Sequence, residues 1–379
     1  MLSTMTDATP LPATMAAVLL TGHGGFDKLE YRTDVPVPVP GPGEITVRVG
    51  ACGLNNTDIN TRIGWYSSAV RDGVTADSAT AGLDPAASES GGWGGALPFP
   101  LIQGADVCGR VAAVGDGVNA ALVGRRVMID PWLLDPADPT NLAGARYVGS
   151  EVDGGFAEHC RAPAANVHPV ESPLSDAELA TFPCAATTAE NLLTKAVVGA
   201  DDVVIVTGAS GGVGTTVVQL ARARGAHVIA VAAGSKAPLL VQLGADAVVD
   251  RDDPDLAAAV RRAAPGGRVD AMIDVVGASM FERLIPALRQ GGRYATSGAI
   301  AGPIVELDLR WLIYGDLQFF GATVCPPGTF AKVITMIESG VLRPILAASY
   351  ALAELQAAQE EFLAKRHVGN IVVTMPARA

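Results

Sequence analysis

Between Val206 and Lys236 the chain reads VTGASGGVGTTVVQLARARGAHVIAVAAGSK: an apolar strand, a glycine turn, a helix and a second apolar strand. Gly208, Gly211 and Gly214 have the spacing of a pyrophosphate cradle. That cradle needs a tight turn, a backbone without Cβ where phosphates approach, and close contact between helix and strand. With Ser210, Gly212 and Val213 these glycines open a helix whose first N–H groups and positive dipole end attract anions. The expected ligand is a dinucleotide. A unit that prefers a free ribose 2′-hydroxyl carries Asp or Glu about 20 residues beyond the glycines. Here that neighbourhood holds Gly234, Ser235 and Lys236. A hydroxyl, backbone N–H groups and an ammonium suit a 2′-phosphate, which a carboxylate repels, so the expected cofactor is NADPH rather than NADH. The plainer readings are a glycine connector without a ligand and a solvated lysine at a helix start.

The elements that must position this turn alternate. Short apolar strands are expected at 203–207, 228–232, 247–249, 271–276, 293–297 and 317–322, with helices at 212–224, 236–243, 256–264 and 279–290. Such alternation gives βαβ units and a doubly wound parallel sheet covered on both faces, an α/β class. Val276, Ser297, Gly298, Ala299 and Thr323 follow strands of that sheet, where a ligand in the switch-point crevice is met. From Met15 to about Pro169 the text alternates apolar residues with turn punctuation and reads as mainly β. Residues 67–99 lack any sustained period and are rich in Ser, Ala, Gly and Asp, giving either a surface insertion or a lid over a pocket. Trp93 and Phe99 favour partial docking of that stretch. The last fifty residues return to helix and strand and are free to rejoin the first domain.

The 379 residues suffice for two or three domain-sized units. Apolar runs stop well short of the roughly 20 residues of a bilayer span, and the first 14 residues lack the basic and apolar regions of a secretory signal. Five cysteines lie far apart without a C-x-x-C pair, which excludes a sequence-readable zinc ribbon and argues against a disulfide framework. A net charge of −12 disfavours nucleic acid and anionic membranes as partners. A cytoplasmic protein acting on a small molecule is the expectation.

Several linked segments, in order, are PVPGPGEITVRVGACGLNNTDINTRIG, GADVCGRVAAVGDGVNAALVGRRVMI, DGGFAEHC, the glycine turn, VDAMIDVVGASMFERLIPALRQGGRYATSGAIAGP and HVGNIVV. Together they resemble the medium-chain dehydrogenase/reductase superfamily from Met15 onward, with 67–99 as the main departure. The resemblance implies a GroES-like, mainly β catalytic domain over 1–184 and 325–379, wrapped around a Rossmann domain over 185–324, with the active site between them. In zinc-dependent members the catalytic ligands are Cys, His and Cys. Those positions fall here on Asn55, Ala105 and Cys184, with Asp106 nearby, and the region 130–150 that carries four structural-zinc cysteines has none. Neither metal site is expected to survive, and Cys184 is expected as a small core residue. What remains resembles the zinc-free quinone oxidoreductase branch. Asn55 matches that branch, Asp58 and Arg62 follow at its spacing as a shape-holding pair, and Asn60 replaces a common tyrosine. Thr188 matches a position beside the nicotinamide, and Asn370 replaces a lysine before the final strand.

Without a Lewis acid to hold an alkoxide, an acceptor that takes hydride unaided is favoured: a quinone or an α,β-unsaturated carbonyl. Charge developing on oxygen needs one or two fixed donors, each worth about 3 kcal/mol at most; Asn55 is the first candidate, with Asn60 and Thr188 second. No histidine has a motif around it. The alternatives are an alcohol dehydrogenase, a reductase of a carrier-bound acyl group, and a non-enzymatic redox-sensing protein. Relatives of this kind commonly pair through the last Rossmann strand, so a homodimer is expected.

Overall fold

The structure, a computed structural model, describes residues 10–83 and 95–376, and of Leu142 the backbone only. Trp93 lies outside the described residues. Glu44–Gly53 is the central strand of a seven-stranded sheet. It pairs antiparallel with Asp106–Val114, His159–Pro163 and Asn370–Thr374. Ile45, Val47 and Val49 of this strand are buried, and Arg48 between them is exposed. Each such Val or Ile stabilises the fold by roughly 1.5–3 kcal/mol. Leu346–Ala351 extends the sheet beyond Asn370–Thr374, so the end of the chain completes the β domain begun at its start.

The other domain is a six-stranded parallel sheet. Its order is Ala247–Asp250, His227–Ala232, Val203–Val206, Ala271–Asp274, Arg293–Thr296, Gln318–Gly321. The order reverses between Val203–Val206 and Ala271–Asp274, the switch point at which ligands enter such sheets. One apolar core runs through both domains: Ala51, Cys108 and Met128 of the β sheet pack with Val204, Ile273 and Phe330.

Three expectations need correction. The second domain crossing does not fall at residue 325. The helix Thr329–Glu338 packs on the helix Pro183–Lys195, and its Phe330, Val333 and Ile337 join the core that backs the parallel sheet. The β domain resumes only at Leu346–Ala351. The first boundary, expected between residues 184 and 185, falls inside the helix Pro183–Lys195. The helix expected over 279–290 ends at Leu284, because Pro286 lacks the N–H that would continue it; a 3₁₀ turn, Ile285–Ala287, follows. Finally, the stretch after Ser67 is not structureless. It forms the helix Ala76–Ala81, capped by Thr75, whose Ala79 is buried and accepts from the Arg62 guanidinium at 2.8 Å.

Candidate active site

The glycine turn has the geometry its sequence demands. Gly208 sits at φ +55°, and a Cβ there would lie 2.8 Å from Val275, so a side chain is excluded by backbone and by space. A Cβ on Gly214 would collide with the Gly208 carbonyl and with Ala209, which is the close helix-to-strand approach. Gly211 is the N-cap of the helix Gly212–Ala223 and offers no side-chain cap, leaving the N–H groups of the first turn for a ligand. The β domain closes on this turn from above: Gly369 N donates to Ser210 O at 2.9 Å, and the Asn370 side chain occupies the space a Cβ on Gly212 would need.

Gly234, Ser235 and Lys236 form a 3₁₀ turn at the end of the second strand. Lys236 is not a freely solvated lysine. Its Nζ donates to Ser210 Oγ at 3.2 Å, to Lys365 O at 2.9 Å and to His367 O at 3.0 Å. Partial desolvation, then the neighbouring Arg251 charge, lowers its pKa. An ammonium and a hydroxyl thus meet beside the cradle where the acid is missing. A dinucleotide fits these residues.

At the far side of the switch point the two domains enclose a cleft of about 440 Å³. Asn55, Asn60, Thr188, Val213, Ser297, Gly298, Ala299 and Thr323, scattered across the sequence, all line it. Val276 does not; its neighbour Val275 does. The reason is Asp274, fully buried, which accepts from the N–H groups of Val276 at 2.9 Å and Gly277 at 3.2 Å and from the Thr207 and Tyr294 hydroxyls. Two buried side-chain oxygens, Asn60 Oδ1 and Thr57 Oγ1, have no partner among the described residues, and both residues line the cleft.

Asn55 precedes the helix Asn56–Ile63. Its backbone N–H donates to Asp58 Oδ2 at 2.7 Å and its Nδ2 to Asp106 Oδ2 at 2.9 Å. Asp106 Oδ1 accepts the Cys184 N–H at 2.6 Å. Burial raises Asp106 to about 7 and Asp58 to about 8, against these hydrogen bonds. Cys184, expected as a small core residue, packs half-buried against the apolar cluster of Ala105, Trp132, Tyr147 and Cys325 and also lines the cleft; burial and then the Asp106 charge hold its thiol protonated. A tetrahedral zinc site does not fit this set. The histidine position is Ala105, buried in an apolar cluster with Trp132, Tyr147 and Cys325; the Asp106 carboxyl beside it has both oxygens engaged; and among the described residues no three His, Cys, Asp or Glu side chains stand close enough to hold an ion.

Asp58 and Arg62 are not a pair. Both are buried, but Arg62 reaches Gln359 Oε1 at 3.1 Å and the Gly24 and Ala79 carbonyls, and stacks over Phe26 at 4.4 Å. Sequence reasoning passed over the aromatic walls of the cleft, Trp65, Tyr66, Trp132 and Tyr147, and over Ile300. None has a motif around it. The stretch after Tyr66 crosses to the other domain, where Val74 N donates to Ile300 O at 3.0 Å, and within the stretch Trp65 Nε1 donates to Asp72 O at 3.0 Å. The docked part of the insertion is therefore continuous with a cleft wall.

Residues 41–172 match the family model described as alcohol dehydrogenase GroES-like domain, and residues 212–339 the one described as zinc-binding dehydrogenase. A candidate alcohol dehydrogenase of Sinorhizobium meliloti 1021 is 44% identical, with a TM-score of 0.89 over 99% of this chain and 100% of that one. An alcohol dehydrogenase of Geobacillus stearothermophilus is 32% identical over 85% of this chain and 89% of its own. A quinone oxidoreductase of Rattus norvegicus is 26% identical over 92% and 94% respectively. The likeness runs through both domains and the glycine turn that serves the cleft between them, and the chain belongs to the medium-chain dehydrogenase/reductase superfamily of dinucleotide-binding oxidoreductases.

Proposed function

We propose that this protein is an NADPH-dependent reductase of quinones or α,β-unsaturated carbonyls that works without a bound metal. The observation that carries the reading is the closed Asn55–Asp106–Cys184 arrangement, which leaves neutral hydrogen-bond donors rather than a ligand set at the floor of the cleft. When bound, NADPH supplies a hydride to the acceptor. The chain does the rest. The first turn of Gly212–Ala223 binds the pyrophosphate, Lys236 and Ser210 take the 2′-phosphate, and Val213, Val275 and Thr323 bound the space for the ring. Trp65, Tyr66 and Ile300 exclude water from a flat conjugated substrate. Asn55, Asn60 and Thr188 offer hydrogen bonds to its oxygen as charge develops there. The rat quinone oxidoreductase among the relatives supports this choice of acceptor.

The relatives named alcohol dehydrogenase favour a second reading, interconversion of a carbonyl and an alcohol in the same cleft. One experiment separates them: oxidation of NADPH and NADH, followed by nicotinamide absorbance, against quinones, enals and saturated aldehydes, with metal analysis of the same sample. Turnover of quinones or enals with NADPH and less than a tenth of an equivalent of zinc is expected. Activity confined to aldehydes, or one zinc per chain, overturns the proposal; no turnover with any acceptor favours a non-enzymatic redox sensor.

We also propose a homodimer. Gln318–Gly321 is the outermost strand of the parallel sheet, and beside it Ile304, Leu309, Trp311, Ile313, Tyr314 and Phe319 are exposed. An apolar edge of this kind is a liability that pairing with a second copy removes. The cysteines among the described residues are free thiols, which supports a reducing compartment such as the cytoplasm. No helix among the described residues is long and apolar enough to cross a membrane.

A further inference from the structure

We propose that Tyr147 is a catalytic residue of this cleft: its phenolic hydroxyl and the Thr188 hydroxyl form a binding pocket for an anionic substrate oxygen beside the Cys184 thiol. Tyr147 is 4% exposed and lies in the short strand Arg146–Tyr147, paired with Trp132–Leu133. Its ring packs edge-on against Trp132 at 4.6 Å between centroids, which fixes where the hydroxyl points. Cys184 packs against the apolar cluster that holds Tyr147, and Thr188 stands one turn along the same helix as Cys184, so both hydroxyls neighbour the Cys184 thiol at the cleft. All three side chains line the cleft.

A thiol is a weak acceptor, so a neighbouring thiol does not commit either O–H group against a better acceptor. An oxygen carrying negative charge is such an acceptor, and bonds to it are roughly twice as strong as neutral ones. Burial pushes the phenol well above its ordinary range, keeping it a neutral donor. The Asp106 carboxyl, nearest in charge, is turned into the protein by the N–H groups of Asn55 and Cys184 and leaves the pocket to the donors. The walls formed by Trp65, Tyr66 and Ile300 suit a planar ring attached to that oxygen.

The catalytic role rests on the reading of the cleft as a hydride-acceptor site. As the acceptor carbon gains its C–H bond, the π pair moves onto the carbonyl oxygen. The Tyr147 and Thr188 O–H bonds stay intact and donate to that oxygen, and the proton that completes the product comes from water.

The test uses 4-nitrophenol, whose anion is coloured, titrated into the protein with and without saturating NADP. The wild type is expected to bind the anion in preference to the neutral phenol, lowering the apparent pKa of the bound probe. Tyr147→Phe is expected to weaken anion binding about 10- to 100-fold, the loss of one hydrogen bond to a charged group. Its kcat is expected to fall on the order of 100-fold with little change in KM, while NADPH affinity and melting temperature hold. Thr188→Val reports on the same pocket if Tyr147→Phe does not fold. Anion binding unchanged in the folded variants overturns the proposal, even where quinone turnover is found. Anion binding lost in Tyr147→Phe with no acceptor turned over by the wild type leaves the donor pocket standing and removes the quinone and enone reading instead.

Discussion

Asn55 Nδ2 lies 2.9 Å from Asp106 Oδ2, and the other oxygen of the same carboxyl accepts the Cys184 N–H at 2.6 Å. One buried acid thus joins the start of a helix in the β domain to the start of the helix that crosses into the parallel-sheet domain. Asp106→Ala removes an acceptor from two buried N–H groups, each costing roughly 1–3 kcal/mol when left unsatisfied. A lower urea midpoint is expected, with Asp106→Asn losing less because its amide oxygen keeps one bond. Equal midpoints for wild type and Asp106→Ala contradict the joint.

The same burial makes stability depend on pH. Asp58 and Asp106 titrate near 8 and 7 in the folded chain and near 4 when unfolded. Between those values the folded state holds protons that the unfolded state has released. Their contribution is fully present below about pH 4 and is lost as pH rises through 7 to 8. Urea melts are expected to show a larger loss between pH 5.5 and 8.5 for wild type than for Asp58→Asn/Asp106→Asn, and parallel curves rule the assignment out.

Gly214 tests the cradle. Alanine there forces its Cβ against Gly208 and Ala209, and overpacking of this kind costs typically 1–3 kcal/mol. A drop in melting temperature together with a loss of NADPH affinity, measured by nicotinamide fluorescence, is expected. Unaltered binding places the phosphates elsewhere.

Lys236 tests cofactor choice. With three acceptors already around its ammonium, two of them carbonyls of the closing β domain, it is held rather than searching for a partner. Lys236→Ala is expected to weaken NADPH about 10- to 100-fold, as for one charge-assisted hydrogen bond, and to leave NADH within a factor of two. Equal losses for both cofactors remove the 2′-phosphate role and reduce the lysine to a brace between domains.

Trp311 and Phe319 test the exposed edge. Trp311→Glu or Phe319→Glu puts a charge into the apolar patch beside Gln318–Gly321. Light scattering is expected to find the wild type as a dimer and the variants as monomers with unchanged melting of the monomeric unit. A monomeric wild type ends the idea.

The parallel sheet, its strand and helix alternation and the glycine cradle were legible in the sequence, because these rest on local periodicity and on backbone conformations that favour glycine. The sequence also named Asn55, Asn60 and Thr188 through resemblance, and the structure brings these three to one cleft. Tertiary structure alone decided the rest. Tyr147, Trp132, Trp65 and Ile300 carry no local signal, since a large apolar or aromatic residue reads alike whether it faces a core or a cleft. Asp58 and Arg62 stand four apart on one helix and still find other partners, because burial and carbonyl acceptors outcompete that spacing. The crossing back to the β domain lies beyond Thr329–Glu338, since an amphipathic helix does not encode which of two neighbouring cores receives its apolar face.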